Sequence, residues 1–197
     1  MNTRKAPDRV RCWQTDDPLV IRYHDKEWGT PLHNDRKLFE FLILEGFQAG
    51  LSWITILRKR ENFRRAFDGF DFNKVAAYGR RKLNALMKDA GIIRNRLKIE
   101  AAVTNARAFL AVRKEFGTFN TYIWGFVKGR PIDGKLTSFS DMPATSGLSD
   151  EISRDLKARG FKFIGSTVVY AHMQATGMVN DHLTHCFRHR ELAKGKR

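Results

Sequence analysis

The stretch Leu38-Phe39-Glu40-Phe41-Leu42-Ile43-Leu44-Glu45-Gly46-Phe47 constrains the fold more than any other. It is apolar almost all round a helical wheel, and such a helix must lie inside a protein with other elements wrapped around it. Asn34-Asp35 offers an N-cap, so a helix is expected over about 36–46. Further helical signals supply the wrapping. Ser52 offers a cap for 53–67, and Asp71 for a short helix through Ala77. A helix over about 81–88 stops at Asp89-Ala90-Gly91, a turn whose glycine can take positive φ. From Arg94 to Arg113, Ile99, Ala102, Val103, Ala106, Phe109 and Leu110 recur at helical spacing, with Arg94, Arg96, Lys98 and Arg107 largely opposite. Helices are also expected over 120–127, 149–159 and 166–176, with Gly160 and Gly177 at C′ positions. The segment 129–145 reads as loop, and the basic tail from Phe187 as frayed. No run alternates with a period of two residues. The expected class is all-α.

Charge narrows the partners. Thirty-six Lys and Arg against 21 Asp and Glu give a net charge of +15 over 197 residues. A domain this basic suits a polyanion, because cations facing phosphates gain affinity by releasing condensed counterions. The polar start, Met1 to Val10, lacks the apolar core of a leader, and no window approaches the roughly 18 apolar residues of a spanning helix. No membrane partner and a cytoplasmic location are therefore expected. Cys12 and Cys186 lie at opposite ends of the chain, where a disulfide is not expected in a reducing compartment.

The two glutamates of the apolar helix face different ways. Glu40 shares a face with Arg36 and Lys37 and is expected to reach cations and solvent, whereas Glu45 stacks over Phe41 and Leu42. A carboxylate on an apolar face is costly unless something pairs with it. Either Glu45 caps or pairs internally, or it waits for a cationic or hydrogen-bonding ligand. Tyr23, Trp28 and Trp53 lie in the same third of the chain. Rings beside a buried carboxylate suit a flat, positively charged ligand such as an alkylated purine.

Two smaller patterns point the same way. Asp89 to Ile93 between two helices, the second opening with Arg94 and Arg96, is a helix-hairpin-helix arrangement whose backbone N–H groups would face a phosphate. An ordinary helical turn with exposed arginines would read the same. Cys12, His24, His182 and Cys186 offer two thiolates and two imidazoles, a set that suits tetrahedral zinc, although buried thiols and surface histidines are common without a metal. His185 and His189 are expected to be exposed bystanders.

Longer motifs carry a resemblance. Tyr23-His24-Asp25-Lys26-Glu27-Trp28-Gly29, Leu44 to Trp53, Asp89 to Arg94, Arg159 to Gly165 and Val179 to His182 resemble, in order, motifs of the 3-methyladenine DNA glycosylase I family. The likeness runs from about Arg11 to Cys186. It implies a helix-hairpin-helix glycosylase: one compact unit over 1–197, with its ends forming a zinc-clamped lobe, about 70–130 forming the hairpin lobe, and the base pocket between them. It implies a monomeric, monofunctional enzyme that flips 3-methyladenine out of double-stranded DNA and hydrolyses its glycosidic bond. Glu45 and Tyr23 would be the catalytic pair and make the polar contacts, with Trp53 stacking on the base and Trp28 walling the pocket. Gly50 and Leu51 would enter the duplex, and Gly91, Arg94 and Arg96 would grip the backbone. The family carries the same Cys, His, His, Cys set, so one structural zinc is implied. Val20 stands where some members have tyrosine, and the spacing from Cys12 to Asp17-Pro18 is one residue shorter. The main alternative is a zinc-containing DNA-binding lesion sensor without excision, and an RNA-binding protein would explain the charge alone.

Overall fold

The computed structural model describes residues 9–194, so most of the polar stretch Met1 to Val10 lies outside the described residues. Along the chain run α1 (Pro18–Lys26), α2 (Asp35–Gln48), α3 (Trp53–Ala66), α4 (Phe72–Ala76), α5 (Arg80–Lys88), α6 (Arg96–Phe116) and α7 (Phe119–Gly125). They are followed by α8 (Gly147–Ala158), α9 (Ser166–Ala175) and α10 (Phe187–Lys194). Two short strands, β1 (Ile132–Asp133) and β2 (Val179–Asn180), pair in parallel, Ile132 opposite Val179. The all-α expectation holds. No helix among the described residues is long and apolar enough to cross a membrane.

The apolar helix is the axis of the molecule. Every residue of α2 from Leu38 to Phe47 is buried. Phenylalanines gather at both of its ends: Phe39 packs on Phe109 at 5.1 Å between ring centres, and Phe109 on Phe119 at 4.2 Å. Phe47 meets Phe63 at 4.8 Å. Burying each such ring contributes roughly 1.5–3 kcal/mol, so these contacts hold α2, α3, α6 and α7 around one interior.

Polar groups fix the two ends of α2. The Asn34 side chain accepts the Lys37 N–H at 3.1 Å. Asp35 accepts the Phe119 and Asn120 N–H groups at 3.1 and 2.9 Å and Arg113 Nε at 2.7 Å, so it caps α7 as well. At the other end Lys98 Nζ donates to the carbonyls of Phe47 (2.9 Å) and Ala49 (2.7 Å). A helix end leaves its last carbonyls without intrahelical partners, and a cation there is doubly favourable.

Several expectations need correction. Helix α1 was not anticipated, although Asp17 caps it through the Leu19 N–H and Pro18 occupies its first turn. The tail from Phe187 is helical rather than frayed, with Arg188 bonded to Thr30 at 2.7 Å. His189 is partly buried and pairs with Asp133 at 2.9 Å, while His185 is exposed as expected. Asn95 caps α6, so Arg94 belongs to the hairpin and not to the helix. Gly91 does not take positive φ. It is needed because an added Cβ would lie 2.9 Å from Asp89 Oδ1 and 3.1 Å from Asn62 Cβ. Ser52 precedes α3 without a side-chain cap bond; its hydroxyl pairs with Thr55 at 2.8 Å.

His172 on α9 is buried, and neither ring nitrogen has a hydrogen-bond partner among the described residues. Burial pushes its pKa down to about 4, against about 6.5 when unfolded. The unfolded chain therefore binds the extra proton first, and stability falls as pH drops through this window, by about 3 kcal/mol in full. Equilibrium unfolding between pH 6.5 and 4 should show a shallower loss for His172→Leu than for the native chain. Equal slopes would remove His172 from the account.

Candidate functional site

The end of α2, the start of α3, α1 and α9 converge on a cavity of about 200 Å³. Tyr23, Trp28, Glu45 and Trp53 line it, four positions singled out from sequence. Tyr23 lies on the buried side of α1, and its ring meets Trp53 at 5.5 Å. Trp13, Gln48, Met142, Ala171 and Gln174 complete the lining and were not anticipated. Trp13 packs against Trp28 at 4.8 Å and stacks on Tyr23 at 6.0 Å. Its signal was its place beside Cys12: if Cys12 and His24 meet, residue 13 is carried to the residues flanking His24. Val20 does not line the cavity.

Glu45 is 4% exposed and has no hydrogen-bond or ion-pair partner among the described residues. The cations nearby are committed elsewhere. Arg60 donates to Glu40 and to Glu27, both at 2.6 Å, and Arg64 adds two bonds to Glu40 at 3.0 and 2.7 Å. Glu40 is therefore buried and paired across to α3, not turned to solvent. Burial lifts the Glu45 pKa to about 8, against a partial downward pull from the Arg60 charge. At neutral pH the cavity thus presents mainly a neutral carboxylic acid. Burial, reinforced by Glu45, likewise lifts Tyr23 well above its ordinary value and keeps its hydroxyl a donor. The Trp53 indole N–H, also buried, makes no hydrogen bond of acceptable geometry among the described residues. Aromatic faces, an ionisable carboxyl and unspent donors make a receptor for a flat cation.

The turn from α2 to α3 borders this cavity. Gly50 takes φ of 84°, a conformation glycine adopts freely. The Leu51 N–H bonds to Gln48 O at 2.7 Å, and the Gln48 side chain donates to Leu51 O at 2.9 Å. Leu51, 39% exposed, is thus an apolar tip on a braced loop. The hairpin is braced too: Lys59 donates to Ala90 O (3.1 Å) and Gly91 O (3.3 Å), and Asn62 to Gly91 O (3.1 Å). Arg94 and Arg96 are exposed. The Gly91 N–H is taken by Asp89 Oδ1 at 2.7 Å, so Gly91 serves the turn's shape rather than offering a free donor.

Cys12, His24, His182 and Cys186 are all buried, with ligand atoms within 4.8 Å of one another. His182 Nδ1 lies 3.4 Å from Cys12 Sγ and 3.7 Å from Cys186 Sγ, and His24 Nε2 is 3.6 Å from Cys186 Sγ. Bonds of about 2.3 Å to sulfur and 2.0–2.1 Å to nitrogen in a tetrahedron separate ligands by about 3.3–3.8 Å. The set suits a metal that joins the two ends of the chain. The outer nitrogens are occupied: His24 Nδ1 by Asp25 (2.8 Å), itself held by Arg11, and His182 Nε2 by Trp28 O (3.0 Å). Such outer bonds fix the ring orientation of metal-binding histidines.

The family model described as methyladenine glycosylase matches residues 13–189. The chain belongs to the methyladenine glycosylase family. It is 50% identical over 177 residues to DNA-3-methyladenine glycosylase 1 of Escherichia coli (strain K12), covering 89% of this chain and 95% of that protein. It resembles a crystal structure of 3-methyladenine DNA glycosylase I with a TM-score of 0.88 at 49% identity, over 90% of this chain and 98% of the other. A tyrosine-to-phenylalanine variant of 3-methyladenine DNA glycosylase I, solved in complex with 3-methyladenine, matches with a TM-score of 0.86 at 37% identity, over 88% and 93% of the two chains. The helix-hairpin-helix glycosylase fold implied by the motifs therefore holds for this chain.

A buried carboxyl with a raised pKa weakens the fold. The folded protein holds its proton between about pH 4.5 and 8 where the unfolded chain releases it, so stability falls as pH rises across that range. At about 1.4 kcal/mol per unit the cost reaches several kcal/mol. Glu45→Gln should accordingly melt at higher temperature than the native protein, with a gain that grows from pH 5 to pH 8.5. A gain independent of pH would show that the carboxyl is not the source.

Proposed function

We propose that this protein is a monofunctional DNA glycosylase that excises 3-methyladenine from alkylated double-stranded DNA, opening base excision repair. The observation that carries the reading is Glu45, buried without a partner in a cavity walled by three tryptophans and a tyrosine. Methylation at N3 makes adenine a cation and a ready leaving group. The glycosidic electrons pass to the base as the bond breaks, water adds to C1′ of the oxocarbenium-like sugar, and a proton is released. Strong protonation of the base is not needed. The protein must extrude the nucleotide and hold it.

Each residue then has a task. Trp53 stacks on the flipped base, and Trp28 and Trp13 close the pocket; an aromatic face favours a cationic ring by about 0.5–2 kcal/mol. The incoming charge draws Glu45 into its ionised form in low dielectric, while Tyr23 supplies a fixed donor. Unmodified adenine lacks the charge and leaves Glu45 protonated, so it is held less well. Leu51, with Gly50 allowing the turn, fills the gap in the duplex, and Arg94 and Arg96 grip the phosphates beside the hairpin. Gly91 supports that grip through the turn's shape.

We read the Cys12, His24, His182, Cys186 cluster as one structural zinc site. All four positions are protein ligands, so a metal there leaves no place for a reacting water. Its part is to fix α1 and the C-terminal segment, and with them Trp28. We place the enzyme in the cytoplasm as a monomer.

Methylated duplex DNA incubated with the protein should release 3-methyladenine, read by chromatography. Glu45→Ala and Trp53→Ala should each lower the rate at least about tenfold, the scale of one lost base-stacking contact. Tight binding of methylated duplex without released base would favour the lesion sensor instead. Separately, chelation should lower the unfolding free energy by several kcal/mol, and unchanged thermal unfolding after metal removal would refute a structural metal.

A further inference from the structure

Gln174 lines the cavity from α9, and its side chain is locked from behind. Its Nε2 donates to Asp181 Oδ2 at 2.9 Å, and the Tyr170 hydroxyl donates to the same oxygen at 2.7 Å. Asp181 is 2% exposed, and an added Cβ at Gly134 would lie 2.2 Å from its other oxygen. The acid is therefore enclosed between β2 and the segment around β1. A carboxylate only accepts hydrogen bonds, so the amide of Gln174 must turn its nitrogen to Asp181. That orientation leaves Gln174 Oε1, which accepts no hydrogen bond among the described residues, for the cavity. Gln48 repeats the pattern, with its nitrogen committed to Leu51 O at 2.9 Å.

Both cavity amides thus commit their nitrogen to protein acceptors and keep a carbonyl oxygen in reserve. We propose that Gln174, oriented by Asp181 and Tyr170, is a specificity-determining residue that accepts a hydrogen bond from the exocyclic amine of the flipped base. Adenine carries an amine at C6, whereas guanine carries a carbonyl oxygen there, and an acceptor facing an acceptor repels. The amine has two hydrogens, enough for Glu45 and Gln174 together. Asp181 and Tyr170 are positioning residues in this scheme: they deny the amide the half-turn that would offer a donor to guanine. The inference rests on the excision reading and adds to it the means of choosing between methylated purines.

The test measures release of 3-methyladenine and 3-methylguanine from the same methylated duplex. The native protein should favour the adenine lesion. Gln174→Met, which keeps the length and loses the acceptor, should reduce the adenine-to-guanine ratio of kcat/KM about tenfold. Asp181→Asn should narrow the ratio by freeing the amide to turn, and Tyr170→Phe serves the same purpose if that variant fails to fold. A fall of both rates by one common factor in Gln174→Met would make the residue merely structural and overturn the proposal. Release of neither base by the native protein would instead overturn the excision reading itself.

Discussion

Everything in this protein depends on how α2 divides its charge. Glu40 and Glu45 are five residues apart, which turns them about 140° from one another on a helix. Both are buried, yet their surroundings are opposite. Glu40 meets Arg60 and Arg64, and Arg60 also takes Glu27, so the cations of α3 are satisfied on that side. Glu45 meets rings and no committed cation. Removing one partner from a buried ion network leaves an uncompensated charge, so the arginines are held firmly to Glu40. Their absence from the cavity is what leaves one carboxyl there without a protein cation.

The cavity is built on shared walls. Trp28 faces it with its ring and accepts His182 Nε2 on its carbonyl, while the ring lies 4.6 Å from that of His182. Trp13 follows Cys12 directly, and its ring is 5.1 Å from His24. The Cys12, His24, His182, Cys186 cluster and the cavity are thus neighbours through two tryptophans. A ligand pocket of this kind needs walls set before the base arrives, since ordering them at binding would consume affinity. At the opposite edge Lys98 of α6 ties the end of α2 to the hairpin side of the molecule, so the Leu51 tip and the turn before α6 are braced together.

Much of this was legible in the sequence, for physical reasons. The burial of α2 followed from its all-round apolar wheel, and the different facings of Glu40 and Glu45 followed from helical geometry, although the burial of Glu40 and its partners did not. Arg36 and Lys37 are near Glu40 on its own helix, but the pairing runs to α3, and periodicity within one segment says nothing about a neighbouring one. Helix α1 was missed because its 9 residues are too few for periodicity to mark it; the Asp17-Pro18 start is the signal that does. Met142, Ala171 and Gln174 come from loop and helix positions whose approach to residue 45 is purely tertiary. The tail after Phe187 read as frayed from its charge, but Thr30 and Asp133 receive its Arg188 and His189.

The state of the Glu45 carboxyl in the unliganded protein tests the central claim most directly. Carbon-13 NMR of glutamate side chains, with Glu45→Gln used to assign the resonance, would follow its titration. A midpoint near pH 8 is expected, because the acid is buried and no protein cation claims it. A midpoint in the ordinary glutamate range, about 4–5, would mean that the group is hydrated or already paired, and the pocket would then hold no carboxyl waiting for a charged base.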